Sequence, residues 1–178
     1  MHGHAVVSLL LAVALVACSD DSVTSPSADV EVNASRGGSG SRPSHTRDLR
    51  GRCATTFTFT SPPGPVQQLH IDGTCVYTSL GRLTLSSEQI VAVNPADGTS
   101  TITNTTTYTA PNGDQLFATF TGTGDPPDAA GNICFEGTET YTGGTGRFTG
   151  ATGSADISGC ASLPTQTGFF VAEGTIRY

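Results

Sequence analysis

From residue 53 to the C-terminus, apolar and polar positions alternate with a period of two, and no stretch carries a convincing 3.6-residue period. The apolar parity is legible in Phe57 and Phe59; Leu69, Ile71 and Tyr77; Leu116, Ala118 and Phe120; Ile133, Phe135 and Tyr141; and Phe170, Ala172, Ile176 and Tyr178. Turn-forming clusters punctuate the alternation: Ser61-Pro62-Pro63-Gly64, Asp97-Gly98, Asn112-Gly113, Asp125-Pro126-Pro127 and Gly143-Gly144-Thr145-Gly146. Together they predict eight strands near residues 53–60, 66–78, 80–94, 98–109, 114–123, 132–142, 149–160 and 168–178. Asp97-Gly98 and Asn112-Gly113 read as type I′ hairpin turns, and consecutive hairpins imply an up-and-down order. The expected fold is all-β, an eight-stranded antiparallel up-and-down barrel. An immunoglobulin-like sandwich stays open, because short alternating strands do not decide closure. A transmembrane barrel fits less well: the face opposite the apolar parity is mostly Thr, Ser, Asn and Gln, and Trp is absent.

The cysteines test the register, because directly opposed residues of an antiparallel hairpin share a constant positional sum. Pairing Thr60 with Gln67 or Gln68 gives 127 or 128, and Cys53 with Cys75 gives 128. Pairing Tyr141 with Ala151 or Thr152 gives 292 or 293, while Cys134 with Cys160 gives 294, which requires a slip or a bulge. The expected disulfides are therefore Cys53–Cys75 and Cys134–Cys160. The cysteine spacings hold no C-x₂₋₄-C pair, so a structural zinc site is not expected.

Upstream of the alternating region the chain changes character. Residues 5–17 form an apolar run too short to span a bilayer as a helix but suited to a signal-peptide core, and Cys18 follows at once. Leu15-Val16-Ala17-Cys18 resembles the bacterial lipobox, although the region before it carries His2 and His4 and no Arg or Lys. Residues 1–17 are thus expected to be a lipoprotein signal peptide and Cys18 the acylated residue. That leaves an even set of four cysteines for an oxidising compartment. The expected location is the bacterial cell envelope, anchored in the lipid bilayer through Cys18, with Ser19 favouring the outer membrane. Residues 18–52 are rich in Ser, Gly, Asp and Arg and read as a disordered tether, leaving residues 53–178 as the barrel domain. Four of its acids (Asp20, Asp21, Asp29, Glu31) precede its basic run of Arg36, Arg42, Arg47, Arg50 and Arg52, among which only Asp48 is acidic, and the five acids and five Arg balance, which assigns the net charge to the domain.

A net charge of −7 argues against nucleic acid as a partner. All eight basic residues are Arg, so lysine-dependent Schiff-base or P-loop chemistry is excluded. The run Gly143–Gly153 lacks the third glycine of a dinucleotide loop and no helix follows it, so no cofactor is expected. No Ser-His-Asp or Cys-His set is credible, since His70 alternates outward between Leu69 and Ile71. Asp125, Asp128 and Asn132 share a loop but fit no EF-hand spacing, and no metal is assigned. The informative acid is Glu139, which shares the parity of Ile133, Phe135 and Tyr141. If that face points inward, the carboxyl lies in the barrel, where desolvation raises its pKa. The alternative is an acid simply hydrated near the mouth. Asn104, Tyr108, Phe120 and Tyr141 are the candidate ligand-lining residues around it.

Three segments in order, Asn112-Gly113-Asp114-Gln115-Leu116-Phe117, Gly143–Gly153 and Gly174-Thr175-Ile176-Arg177-Tyr178, resemble bacterial secreted proteins with the allene oxide cyclase/dirigent-like barrel. The resemblance implies a calycin-type closed barrel with a central cavity. Its motifs are turn and strand-end signatures, so no catalytic residue is carried over. The functional expectation is a module that binds a small apolar molecule or interacts with envelope components. The alternative is a cyclase- or isomerase-like enzyme using the cavity and Glu139.

Overall fold

The computed structural model describes residues 45–178. The expected signal peptide, Cys18 and the tether up to residue 44 lie outside the described residues. Eight strands follow one another: β1 Thr46–Phe59, β2 Val66–Tyr77, β3 Gly81–Val93, β4 Ser100–Thr109, β5 Gln115–Gly124, β6 Asn132–Gly144, β7 Thr152–Ser162 and β8 Thr167–Arg177. Each pairs antiparallel with its neighbours, and β1 pairs with β8, which closes the sheet into an up-and-down barrel. Closure removes the sandwich alternative and leaves no open sheet edge.

The first strand corrects the expected domain boundary. It begins at Thr46, and the pairs Thr46↔Arg177 through Arg52↔Val171 lie in residues read as tether. Leu49 is fully buried there, and Gly51 faces the Tyr77 ring so closely that a methyl group would run into it. Burying one Leu side chain contributes about 2 kcal/mol, and this burial acts together with the β1–β8 ladder to hold these residues as strand against the entropy of a solvated leash. Arg50 and Arg52 therefore belong to the outer wall, whereas Arg47, on the parity of Leu49, lies at the closed end with its guanidinium 5.2 Å from the Tyr178 ring. Among the described residues eleven acids stand against six Arg, a formal charge of −5.

Both disulfides join directly opposed residues, Cys53↔Cys75 and Cys134↔Cys160. The second needs no slip: β6 and β7 keep one register from Asn132↔Ser162 to Tyr141↔Gly153. The difference from expectation is the turn, since a short 3₁₀ helix at Gly146–Phe148 delays β7 to Thr152. The single register shift lies elsewhere, between Phe117 and Ala118 in the β5–β6 pairing.

The two Gly hairpins also differ from expectation, because only Gly98 and Gly113 have positive φ, not Asp97 or Asn112. In the second hairpin Gly113 N–H donates to Ala110 O at 2.9 Å across Pro111-Asn112. Proline at the first central position locks φ near −65°, which forbids type I′, and without a positive φ at Asn112 the turn is type I with glycine after it.

The connections β1–β2, β3–β4, β5–β6 and β7–β8 gather at one end of the barrel, and the others at the opposite end. The second end is filled. Leu49, Leu80, Leu83, Leu116, Phe148 and Ile176 are buried there, with Phe148 inserted from the 3₁₀ helix. Arg147 fastens this plug: its Nη2 donates to Leu80 O at 2.9 Å, and its guanidinium stacks 4.6 Å from the Phe148 ring. Tyr178 covers the plug, 5.3 Å from Phe148, and donates to Ser79 O.

Candidate functional site

The first end is open, and a cavity of about 130 Å³ descends from it into the barrel. An apolar cavity of ~150 Å³ accommodates benzene, so the space suits one small ring. Its wall carries the rings of Phe57, Phe120, Phe135 and Phe170 and the side chains of Leu69, Ile71, Leu85, Ile102 and Ile157. A polar stripe crosses this wall on β3 and β4. Thr106 Oγ1 lies 3.0 Å from Ser87 Oγ and 3.1 Å from Asn104 Oδ1, and Asn104 Nδ2 reaches Gln89 Oε1 at 3.5 Å.

Two glycines make the room. Gly122 and Gly137 oppose each other on β5 and β6 and both face inward, so the Phe120 ring lies back over them. A methyl at Gly122 or Gly137 would come within 2.5 or 2.7 Å of its Cζ. From there the ring meets Phe135 edge-on, with centroids 6.5 Å apart.

The floor is ionisable. Glu139 is 3% exposed and accepts a hydrogen bond from Tyr108 Oη at 2.7 Å. Burial drives its pKa up from 4.5 to about 7, against the opposing pull of the Tyr108 and Tyr141 hydroxyls. Neither Glu139 Oε2 nor Tyr141 Oη has a partner at hydrogen-bonding distance, although the two groups are near enough for each to perturb the other's titration. Tyr77 joins the cluster, its ring edge-on to Tyr108 at 5.9 Å and its hydroxyl 3.8 Å from Cys53 Sγ. Burial first and the Glu139 charge second push all three phenols upward, which holds them neutral. Three of the chain's four tyrosines thus surround one carboxyl.

Of the residues expected to line the space, Asn104, Tyr108, Phe120 and Glu139 do so. Glu139 is buried rather than hydrated at the mouth. Tyr141 is not on the cavity wall. It is buried beside the carboxyl, on the closed side of β6. Sequence reasoning did not single out Tyr77, Ser87 or Thr106 for the site, although all three share the inward parity of their strands. It gave Phe148 no part either, because the glycines around it mask its role as plug.

The remaining candidates serve the wall. His70 points outward and is hydrogen-bonded to Glu88 Oε1 at 2.6 Å, with Asp72 3.3 Å away. Asp128 organises its own loop: its carboxylate accepts N–H bonds from Ala130 and Asn132 and the side-chain amide of Asn132. No group of three or more His, Cys, Asp or Glu side chains suited to holding a metal ion occurs among the described residues. No helix among them is long and apolar enough to cross a membrane.

No family model, curated protein or solved structure matches the chain.

Proposed function

We propose that this protein is a bacterial envelope lipoprotein whose barrel binds a small, largely apolar molecule through its open end. The observation that carries the binding reading is the cavity: ring-lined, sized for one small ring, and floored by a buried carboxyl with an unsatisfied oxygen. Such concave apolar pockets with a few convergent polar groups are the usual form of ligand sites. The anchoring reading rests on Leu15-Val16-Ala17-Cys18 and on the even cysteine count left once Cys18 is acylated. It places the chain on the outer membrane, facing the periplasm or the exterior. Kinship with allene oxide cyclase/dirigent-like barrels belongs to the same proposal, supported by the three resembling segments and the closed eight-strand topology.

Native mass spectrometry of the protein purified from its own envelope tests the binding reading. A co-purifying small molecule is expected, and a ligand-free preparation that also ignores apolar probes overturns it. Metabolic labelling with palmitate tests the anchor: label is expected in the wild type and none in Cys18→Ser.

A second reading, a cyclase- or isomerase-like enzyme, is favoured by the buried 2.7 Å contact between Tyr108 and Glu139. A carboxyl titrating near neutrality suits general acid–base work. Conversion of the co-purified molecule, lost in Glu139→Gln, would support it over simple binding.

A further inference from the structure

We propose that the cavity selects a small apolar cation, an aryl- or alkyl-ammonium whose charge is taken by the Glu139 carboxylate at the floor. The inference deepens the binding reading above and rests on it.

The first observation is the carboxyl itself. Glu139 is buried, one oxygen receives Tyr108, and the other has no hydrogen-bond partner. The groups acting on its ionisation are burial and two tyrosine hydroxyls, with no basic side chain among them. A buried carboxylate is costly when unpaired. In the free protein that desolvation has already been incurred, so an incoming ammonium loses only its own water and gains a pre-positioned counter-charge.

The second observation is independent and concerns the outer charges. Asp97, Asp125 and Asp128 sit in the mouth loops, and Glu88 and Glu136 on the mouth halves of β3 and β6. All six described arginines, Arg47, Arg50, Arg52, Arg82, Arg147 and Arg177, lie in the closed half. The one titratable base described in the mouth half, His70, is engaged by Glu88 and Asp72. The approach to the cavity is therefore negative from rim to floor, a field that concentrates cations and repels carboxylates. Between rim and floor, the rings of Phe57 and Phe170 are part of the wall, and an aromatic face attracts a cation where it does not attract an anion.

Titration calorimetry of the full chain with three single-ring probes tests this: benzylammonium, benzyl alcohol and benzoate at about pH 8, above the Glu139 titration. Benzylammonium is expected to bind at least ~10-fold more tightly than benzyl alcohol, with benzoate weakest, since a charge pair of low exposure exceeds a neutral hydrogen bond by that margin. Glu139→Gln is expected to keep benzyl alcohol binding and lose the preference for the cation. A wild type that binds the alcohol or benzoate as well as the cation overturns the proposal and leaves the pocket reading standing. Binding of none of the three overturns the pocket reading as well. Should Glu139→Gln fail to fold, the wild type alone decides at about pH 6. There, benzylammonium must expel the carboxyl proton, read as a buffer-dependent binding enthalpy approaching one proton released per ligand. A buffer-independent enthalpy overturns the proposal.

Discussion

Glu139 makes stability depend on pH even without ligand. Its pKa is near 7 in the folded chain and 4.5 when exposed, so between these values the native state holds a proton that the unfolded state has lost. Stability is therefore highest at and below about pH 4.5 as far as this group is concerned. It falls as pH rises through the window up to about 7 and levels off above it, by up to ~3 kcal/mol. Glu139→Gln keeps an oxygen for Tyr108 and cannot ionise, so its melting temperature should exceed that of the wild type at about pH 8 and match it at about pH 5. Equal melting temperatures at both pH values would show that the carboxyl is not desolvated in the native barrel. Tyr108→Phe acts in the opposite direction: it leaves Glu139 Oε1 without its donor and should cost ~1–3 kcal/mol, read by denaturant unfolding at about pH 8. The position of Glu139 was legible from strand parity alone, because period-two alternation assigns a face without any knowledge of partners. Its tyrosine shell was only half legible. Parity placed Tyr77, Tyr108 and Tyr141 inward, but their convergence on one height of the barrel depends on how far each strand is staggered against the next, and the alternation carries no such information.

The strands themselves were predicted largely within a few residues, since Thr-rich alternation bounded by Pro and Gly leaves little choice of period. Hairpin geometry was harder, because it depends on single residues. Pro111 decides one turn, and the buried Phe148 lengthens another by pulling the chain under the barrel. The cysteines read correctly because a positional sum survives small errors at strand ends. Their environments differ in a way the sum does not contain: Cys53 and Cys75 are buried in the interior, whereas Cys134 is exposed on the outer wall. Graded reduction should therefore open Cys134–Cys160 first, checked by alkylation and peptide mapping under native conditions. Replacing that pair by serine should cost ~3 kcal/mol through the freed 26-residue separation, with little further packing loss. The glycine pair on β5 and β6 gives a sharper contrast. Gly137→Ala would press a methyl against the Gly122 backbone and the Phe120 ring together, so it should destabilise by ~1–3 kcal/mol and shift the ring into the cavity. Loss of probe binding with retained β-sheet circular dichroism would be the readout.

Closure couples all of these features, because the wall exists only if the first strand meets the last. The β1–β8 ladder runs from Thr46↔Arg177 to Thr56↔Thr167. A domain boundary at Cys53, which composition suggested, removes every rung up to Arg52↔Val171 and takes Leu49 out of the plugged end. The boundary was misread because the charged Asp48, Arg50 and Arg52 alternate with Leu49, Gly51 and Cys53, so the outward positions dominate the local composition. The inward ones include a glycine that no hydrophobic count registers. A chain starting at Cys53 would expose the unpaired edge of β8 and open the end that Phe148 and Leu49 fill. It should fail to unfold cooperatively and should associate through that edge, whereas a chain starting at His45 should match the full-length protein in melting temperature. Equal melting temperatures for both would mean that Cys53–Phe59 alone suffices to close the wall, and that the seven residues before it add nothing to the fold. The same pair of chains separates architecture from chemistry. Glu139 and the tyrosines around it are present in both, so any loss of probe binding in the shorter chain would report how far the floor depends on a barrel sealed at its closed end.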